Sequence, residues 1–182
     1  MRFLHYSDVG ANNILELYKQ SDVLITTGDL RFVDFPGIDL LPNKIPSFGV
    51  LGNHDDGATY LERNGIVNLH NKVVEFNGLK IGGFQGCLRY NSRDIQYTEE
   101  QAKEFADTFP YVDILLLHAG PLGLLDDTSD PVHTGSANIL RYVDEKMPKY
   151  IFVGHQYSNE DLNYKGIQMF RSYGARIINL DV

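Results

Sequence analysis

Short apolar runs of strand length recur along the chain, each followed at once by turn residues. They cover positions 3–6, 23–25, 48–51, 114–117 and 150–153. Their near-continuous apolar character predicts strands covered on both faces, as in layered α/β folds. Helical patterns lie between them. Positions 12–20 place Ile14, Leu15, Leu17 and Tyr18 on one side, and 136–146 space Ile139, Leu140 and Val143 at helical intervals. Thr98 facing Gln101 predicts a capping box that opens a further helix. Positions 73–76 and 79–81 flank Asn77-Gly78, the signature of a hairpin with a type I′ turn. Positions 164–170 and 175–180 read as two closing strands around Tyr173-Gly174. The pattern gives a mixed α/β sandwich in one domain, 1–182, with no internal repeat or linker.

The polar residues fall at particular places in this pattern. Asp8, Asp29, Asn53, His54, His118 and His155 each stand just after an apolar run. Ligands of open α/β sheets bind beyond the carboxyl ends of the strands. Hard oxygen donors mixed with imidazoles suit Zn, Mn, Fe or Ni rather than calcium or a thiolate-seeking metal. Any one of these residues alone reads as a strand-end cap; six at successive strand ends read as a metal site.

Composition adds exclusions. The chain has 182 residues, 43% apolar and 22% charged, enough for a full core without disulfides. Sixteen basic and 24 acidic side chains leave a net charge of −8, which argues against duplex nucleic acid as a partner. The lone Cys87 excludes a disulfide framework. No apolar run is long enough to span a membrane and no signal-peptide pattern is present, so the expected compartment is cytoplasmic.

The ordered motifs resemble those of the calcineurin-like metallophosphoesterases. Asp8-Val9-Gly10, Gly28-Asp29, Gly52-Asn53-His54-Asp55, His118 and Gly154-His155-Gln156-Tyr157 follow that family's order. The resemblance implies an α/β/β/α sandwich of two mixed sheets and a two-metal site. Asp29 would bridge the metals; Asn53, His118 and His155 would complete one position, and Asp8 would hold the other. His54 would stabilise phosphoryl oxygens or protonate the leaving group, with Asp55 orienting its imidazole. The implied activity is hydrolysis of a small phosphate mono- or diester by a metal-bound hydroxide. The chain departs from the family at Gly10 and Tyr157, where histidines of the Asp8 position are expected. One tight metal site follows, the second being depleted unless Tyr157, Asn12 or Asn13 substitutes. Small bacterial members resemble this chain most, sharing Gly86-Cys87-Leu88-Arg89-Tyr90, Gln96-Tyr97-Thr98-Glu99, Asp126 and His133-Thr134-Gly135. The missing ligands also motivate a competing reading, a weakly active or inactive scaffold of this fold that binds a protein partner.

Other residues read more plainly. His5, three positions before Asp8 in a strand, is expected to be a packing or surface histidine. His70 reads as surface. His133 reads equally as a phosphate contact or a loop anchor. Arg89 and Arg93 could clamp a phosphate, a salt bridge being the simpler expectation. With no room for a cap domain, loops 31–46, 86–97 and 119–133 are the candidates for substrate selection.

Overall fold

A computed structural model describes residues 1–9, 13–30, 41–93 and 95–182. Among these, one sheet has the order β13 (Gly174–Asn179), β1 (Arg2–Ser7), β2 (Val23–Thr26), β3 (Ser47–Gly49) and β4 (Val67–Asn68). The other runs β11 (Glu160–Tyr164), β12 (Ile167–Arg171), β10 (Tyr150–Val153), β9 (Ile114–Leu117), β6 (Leu79–Phe84) and β5 (Val73–Phe76). A small parallel pair, β7 (Cys87–Leu88) and β8 (Gln96–Tyr97), lies apart from both.

Strand alternation sorts the apolar residues into three packed layers. Phe3, Ile25, Ile114, Leu116 and Phe152 fill the space between the sheets. Leu4, Tyr6 and Leu24 point outward against α1 (Ile14–Lys19) and α2 (Tyr60–Arg63), through Ile14, Tyr18 and Leu61. Leu115, Leu117, Ile151 and Val153 point the other way. They meet Phe105 of α3 (Glu99–Thr108) and Ile139 and Val143 of α4 (Ala137–Lys146). The central strands β2, β9 and β10 are therefore buried along their whole length, which is why these runs show no polar face. The result is the expected α/β/β/α sandwich.

Local chemistry matches at several points. Thr98 and Gln101 form both bonds of the capping box on α3. Asn77 and Gly78 carry φ of 49° and 76°, as a type I′ turn requires. Glu99 of α3 accepts from Ser136 Oγ and Ala137 N, placing a carboxylate on the positive end of α4. His5 is fully buried between Thr27 Oγ1 at 3.0 Å and Ser172 Oγ at 2.7 Å, a packing histidine.

Two expectations need correction. The strand predicted at 164–170 is the end of β11, a Lys165-Gly166 turn with φ of 53° and 90°, and then β12. Lys-Gly turns the chain as Asn-Gly does, because glycine takes one left-handed position and lysine adopts the other. His70 is not a surface side chain. It is partly buried on the Phe84 ring at 5.2 Å, and its Nδ1 accepts from Gln85 N at 3.2 Å. Burial lowers its pKa to about 4.

Candidate metal centre

The first three parallel strands of one sheet and the parallel β9 and β10 of the other end at a common rim. At that rim Asp8, Asp29 and His155 take φ of 68°, 56° and 65°. This left-handed conformation costs of order 1 kcal/mol per residue, and Asp and His tolerate it better than most. It turns the backbone sharply as each strand ends. Two glycines of the motifs then permit close approach between neighbouring turns. A Cβ on Gly52 would lie 2.1 Å from Asp29 Oδ1 and 2.5 Å from Asp29 N; one on Gly154 would lie 2.6 Å from Asp8 Oδ2. Gly52→Ala should therefore fold, as judged by circular dichroism, yet bind metal about 10–100-fold more weakly in calorimetry, the range for disturbed ligand orientation. Parent-like affinity would mean that the turn yields without moving Asp29.

Four acceptors converge below the rim. His118 Nδ1 lies 2.6 Å from the Thr27 carbonyl, so Nδ1 donates there and Nε2 is the nitrogen turned to the cluster. His155 is held the opposite way: Nε2 donates to the Val132 carbonyl at 2.8 Å, leaving Nδ1 bare. These two nitrogens face each other 3.1 Å apart. Asn53 Oδ1 is 2.9 Å and Asp29 Oδ2 3.4 Å from His118 Nε2. The Asn53 amide is aimed by Tyr90, whose hydroxyl accepts from Nδ2 at 3.0 Å. Facing lone pairs repel unless a cation lies among them. Asp29, His118 and His155 have ligand atoms within 4.8 Å of one another, and the donor set fits a first-row divalent ion.

The electrostatics agree. Burial opposes charge on His118, but Asp29 and then Asp8 outweigh it and lift its pKa to about 9, so without metal Nε2 carries a second proton at the place a metal ion would take. Burial and the neighbouring His118 charge push His155 down to about 3. Burial also opposes ionisation of Asp29, yet His118 and the His54 amide hold it at about 2. The pocket thus keeps an anionic oxygen and calls for positive charge.

The remaining site residues take distinct positions. His54 is outside this cluster and exposed, its backbone N–H donating to Asp29 Oδ1 at 2.7 Å. Arg93 Nη1 lies 3.2 Å from His54 Nδ1. A guanidinium only donates, so His54 accepts at Nδ1 and carries its proton on Nε2. Asp55 does not orient that imidazole. Its oxygens accept from Gly52 N at 2.7 Å, Asp29 N at 3.1 Å and Leu30 N at 2.7 Å, clamping one turn to the other. Burial raises its pKa to about 6. Both Asp8 oxygens lie 3.0 Å from His155 N, and one also accepts from Ser7 Oγ. Burial raises Asp8 to about 6.

Asp8, Asp29, His54 and His155 line a cavity of about 360 Å³ with Leu30, Val132, His133, Tyr157 and Tyr173. His133 is both anchor and wall: Nδ1 pairs with Asp130 at 2.5 Å while its ring faces His155. Tyr157 packs its ring against His133 and Tyr173 and is 72% exposed. Arg89 bonds the Gln96 carbonyl at 3.3 Å and does not line this cavity. Asn13 occupies the N-cap position of α1 without a side-chain capping bond, and Gly10, Asn12 and most of loop 31–46 lie outside the described residues. A larger cavity of about 580 Å³, lined by His70, Phe84, Tyr97 and Phe105, contains none of the ligands.

The family model described as calcineurin-like phosphoesterase matches residues 1–159. Among curated proteins, sequence comparison finds no match. Among solved structures, TT1561 of Thermus thermophilus superposes with a TM-score of 0.64 at 15% identity, covering 93% of this chain and 88% of that one. Phosphopantetheinyl hydrolase from Mycobacterium tuberculosis gives 0.62 at 13% identity, covering 93% and 87%. At this identity the likeness concerns the fold.

Proposed function

The chain belongs to the calcineurin-like phosphoesterase family, and from that premise we propose that it is a metal-dependent hydrolase of a small phosphate mono- or diester. The observation that carries this reading is the pair of facing imidazole nitrogens, 3.1 Å apart, each ring fixed by a backbone carbonyl and joined by Asn53 and Asp29. Asp29, Asn53, His118 and His155 would hold a divalent Mn, Fe, Zn or Ni ion, which would supply Lewis acidity and a lowered pKa for water there.

The chain's own residues do the rest. His54 presents Nε2–H at the cavity mouth, where it can donate to a phosphoryl oxygen or to the departing alkoxide. Arg93 keeps that tautomer and adds positive charge beside it. Asp55 holds the Gly-Asp and Gly-Asn-His turns in register, so His54 and Asp29 keep their spacing. A cysteinyl phospho-enzyme is unsuited to this chain: Cys87 is buried, and burial followed by the Asp29 charge raises its thiol to about 12. The substrate is a small molecule, because the cavity of about 360 Å³ is near the lower end of ligand-sized pockets.

The test is a screen of metal-reconstituted protein against phosphomonoesters, phosphodiesters and cyclic nucleotides. Turnover above that of a His118→Ala control supports the reading; none under any of the four metals overturns it in favour of a scaffold. A second expectation concerns stoichiometry. The Asp8 oxygens already serve His155 N and Ser7, and Tyr157 is turned to solvent, so one metal per chain should survive chelator dialysis. Elemental analysis finding two retained metals would show that another side chain replaces the missing histidines.

A further inference from the structure

The residue at the altered end of the last motif has a specific setting. Rings follow one another outward from the metal ligands: His118 to His155 at 4.8 Å, His155 to His133 at 5.0 Å, and His133 to Tyr157 at 5.1 Å. Tyr157 then meets Tyr173 edge-on, at 5.9 Å and 86°. At 72% exposure, Tyr157 is the most exposed large hydrophobic side chain among the described residues, and Tyr173 beside it is 37% exposed. Both line the same cavity as Asp8, Asp29 and His54. Leaving an aromatic face in water forgoes favourable burial, which a flat partner restores. Hydrogen bonds tie the flanking segments together: Tyr173 N donates to Asn159 Oδ1 at 2.9 Å, and Gln156 Nε2 donates to the His133 carbonyl at 2.8 Å.

We propose that Tyr157 and Tyr173 form a substrate-binding wall, and that the favoured substrates are phosphate esters whose alcohol arm carries a planar aromatic or heteroaromatic ring. The inference rests on the phosphoesterase reading for the position of the phosphate. With that group among Asp29, His54 and the metal ligands, an arm of a few bonds runs along Tyr157, and its ring lies against the Tyr faces. The position that elsewhere supplies a metal-ligating histidine has here become a contact for the leaving group.

The experiment compares 2-phenylethyl with 2-cyclohexylethyl phosphate, which match in size and leaving-group basicity, and runs a nucleoside monophosphate alongside. The corresponding phosphonates, which cannot be hydrolysed, are titrated by calorimetry into the metal-loaded protein. The unaltered protein should favour phenyl over cyclohexyl by about three- to tenfold in KM and in phosphonate Kd, the range for an aromatic contact beyond area burial. Tyr157→Leu keeps apolar area but removes the ring, so that ratio should fall toward one with kcat little changed. A nucleotide KM that rises in step identifies a nucleobase as the natural ring; an unmoved one identifies a simple aryl group. Equal affinity for the two phosphonates in the unaltered protein, or a ratio that Tyr157→Leu leaves unchanged, overturns the wall. Absence of turnover with every ester, alongside a ring-selective phosphonate affinity, would overturn the catalytic reading and leave the wall standing.

Discussion

Asp29→Ala should leave the protein folded but free of metal after dialysis, with turnover reduced by about 10³-fold or more. Among the described residues Asp29 is the carboxylate grouped with both imidazoles, and its other oxygen holds the His54 amide at 2.7 Å. Removing it withdraws the anion that draws a cation between His118 and His155. It also releases the turn that carries His54. Loss of the Lewis acid alone accounts for several kcal/mol of transition-state stabilisation, and a thousandfold loss corresponds to roughly 4 kcal/mol. Because His118 owes its raised pKa to Asp29 first among its charged neighbours, its imidazole should become neutral near pH 7 in the metal-free variant. Elemental analysis and imidazole NMR read the two effects separately. A variant that retained its metal would show that Asn53, His118 and His155 suffice, and the ligand role assigned to Asp29 would be wrong.

His54→Ala should behave differently: metal content unchanged and kcat lower by about 10²–10³-fold, the usual effect of removing one preorganised donor to developing negative charge. The reason is a division of labour within one residue. The backbone N–H of His54 supports Asp29, and alanine retains it. The imidazole projects to the exposed mouth beside Arg93 and makes no bond to the ligand cluster among the described residues. Only the transition-state interaction is lost. Metal-free protein on purification would make His54 a ligand; unchanged kcat would leave the Nε2–H without a catalytic role.

The linear pattern alone determined much of this. Apolar runs covered on both faces, followed by Asp, Asn or His, predicted the sandwich and the rim on which ligands collect, because strand ends and sheet edges are local consequences of periodicity. The cap at Thr98 and the Asn77-Gly78 turn were legible for the same reason. Lys165-Gly166 is not legible in the sequence, because lysine carries no strong turn signal and the run across it has the pattern of a single strand. Other features depended on contacts between segments far apart in sequence. Sequence order placed Asp55 beside His54 and suggested that one orients the other. In three dimensions the carboxylate turns to three backbone amides, and Arg93, 39 positions further on, meets the imidazole. Val132 and Thr27 set the histidine tautomers through carbonyl oxygens, which every residue has and no side-chain pattern records. Tyr157 could be marked in the sequence as a departure from a motif. Only its packing against His133 and Tyr173 turned a missing ligand into a surface for substrate, because a ring's partners are fixed by tertiary packing and not by its neighbours in the chain.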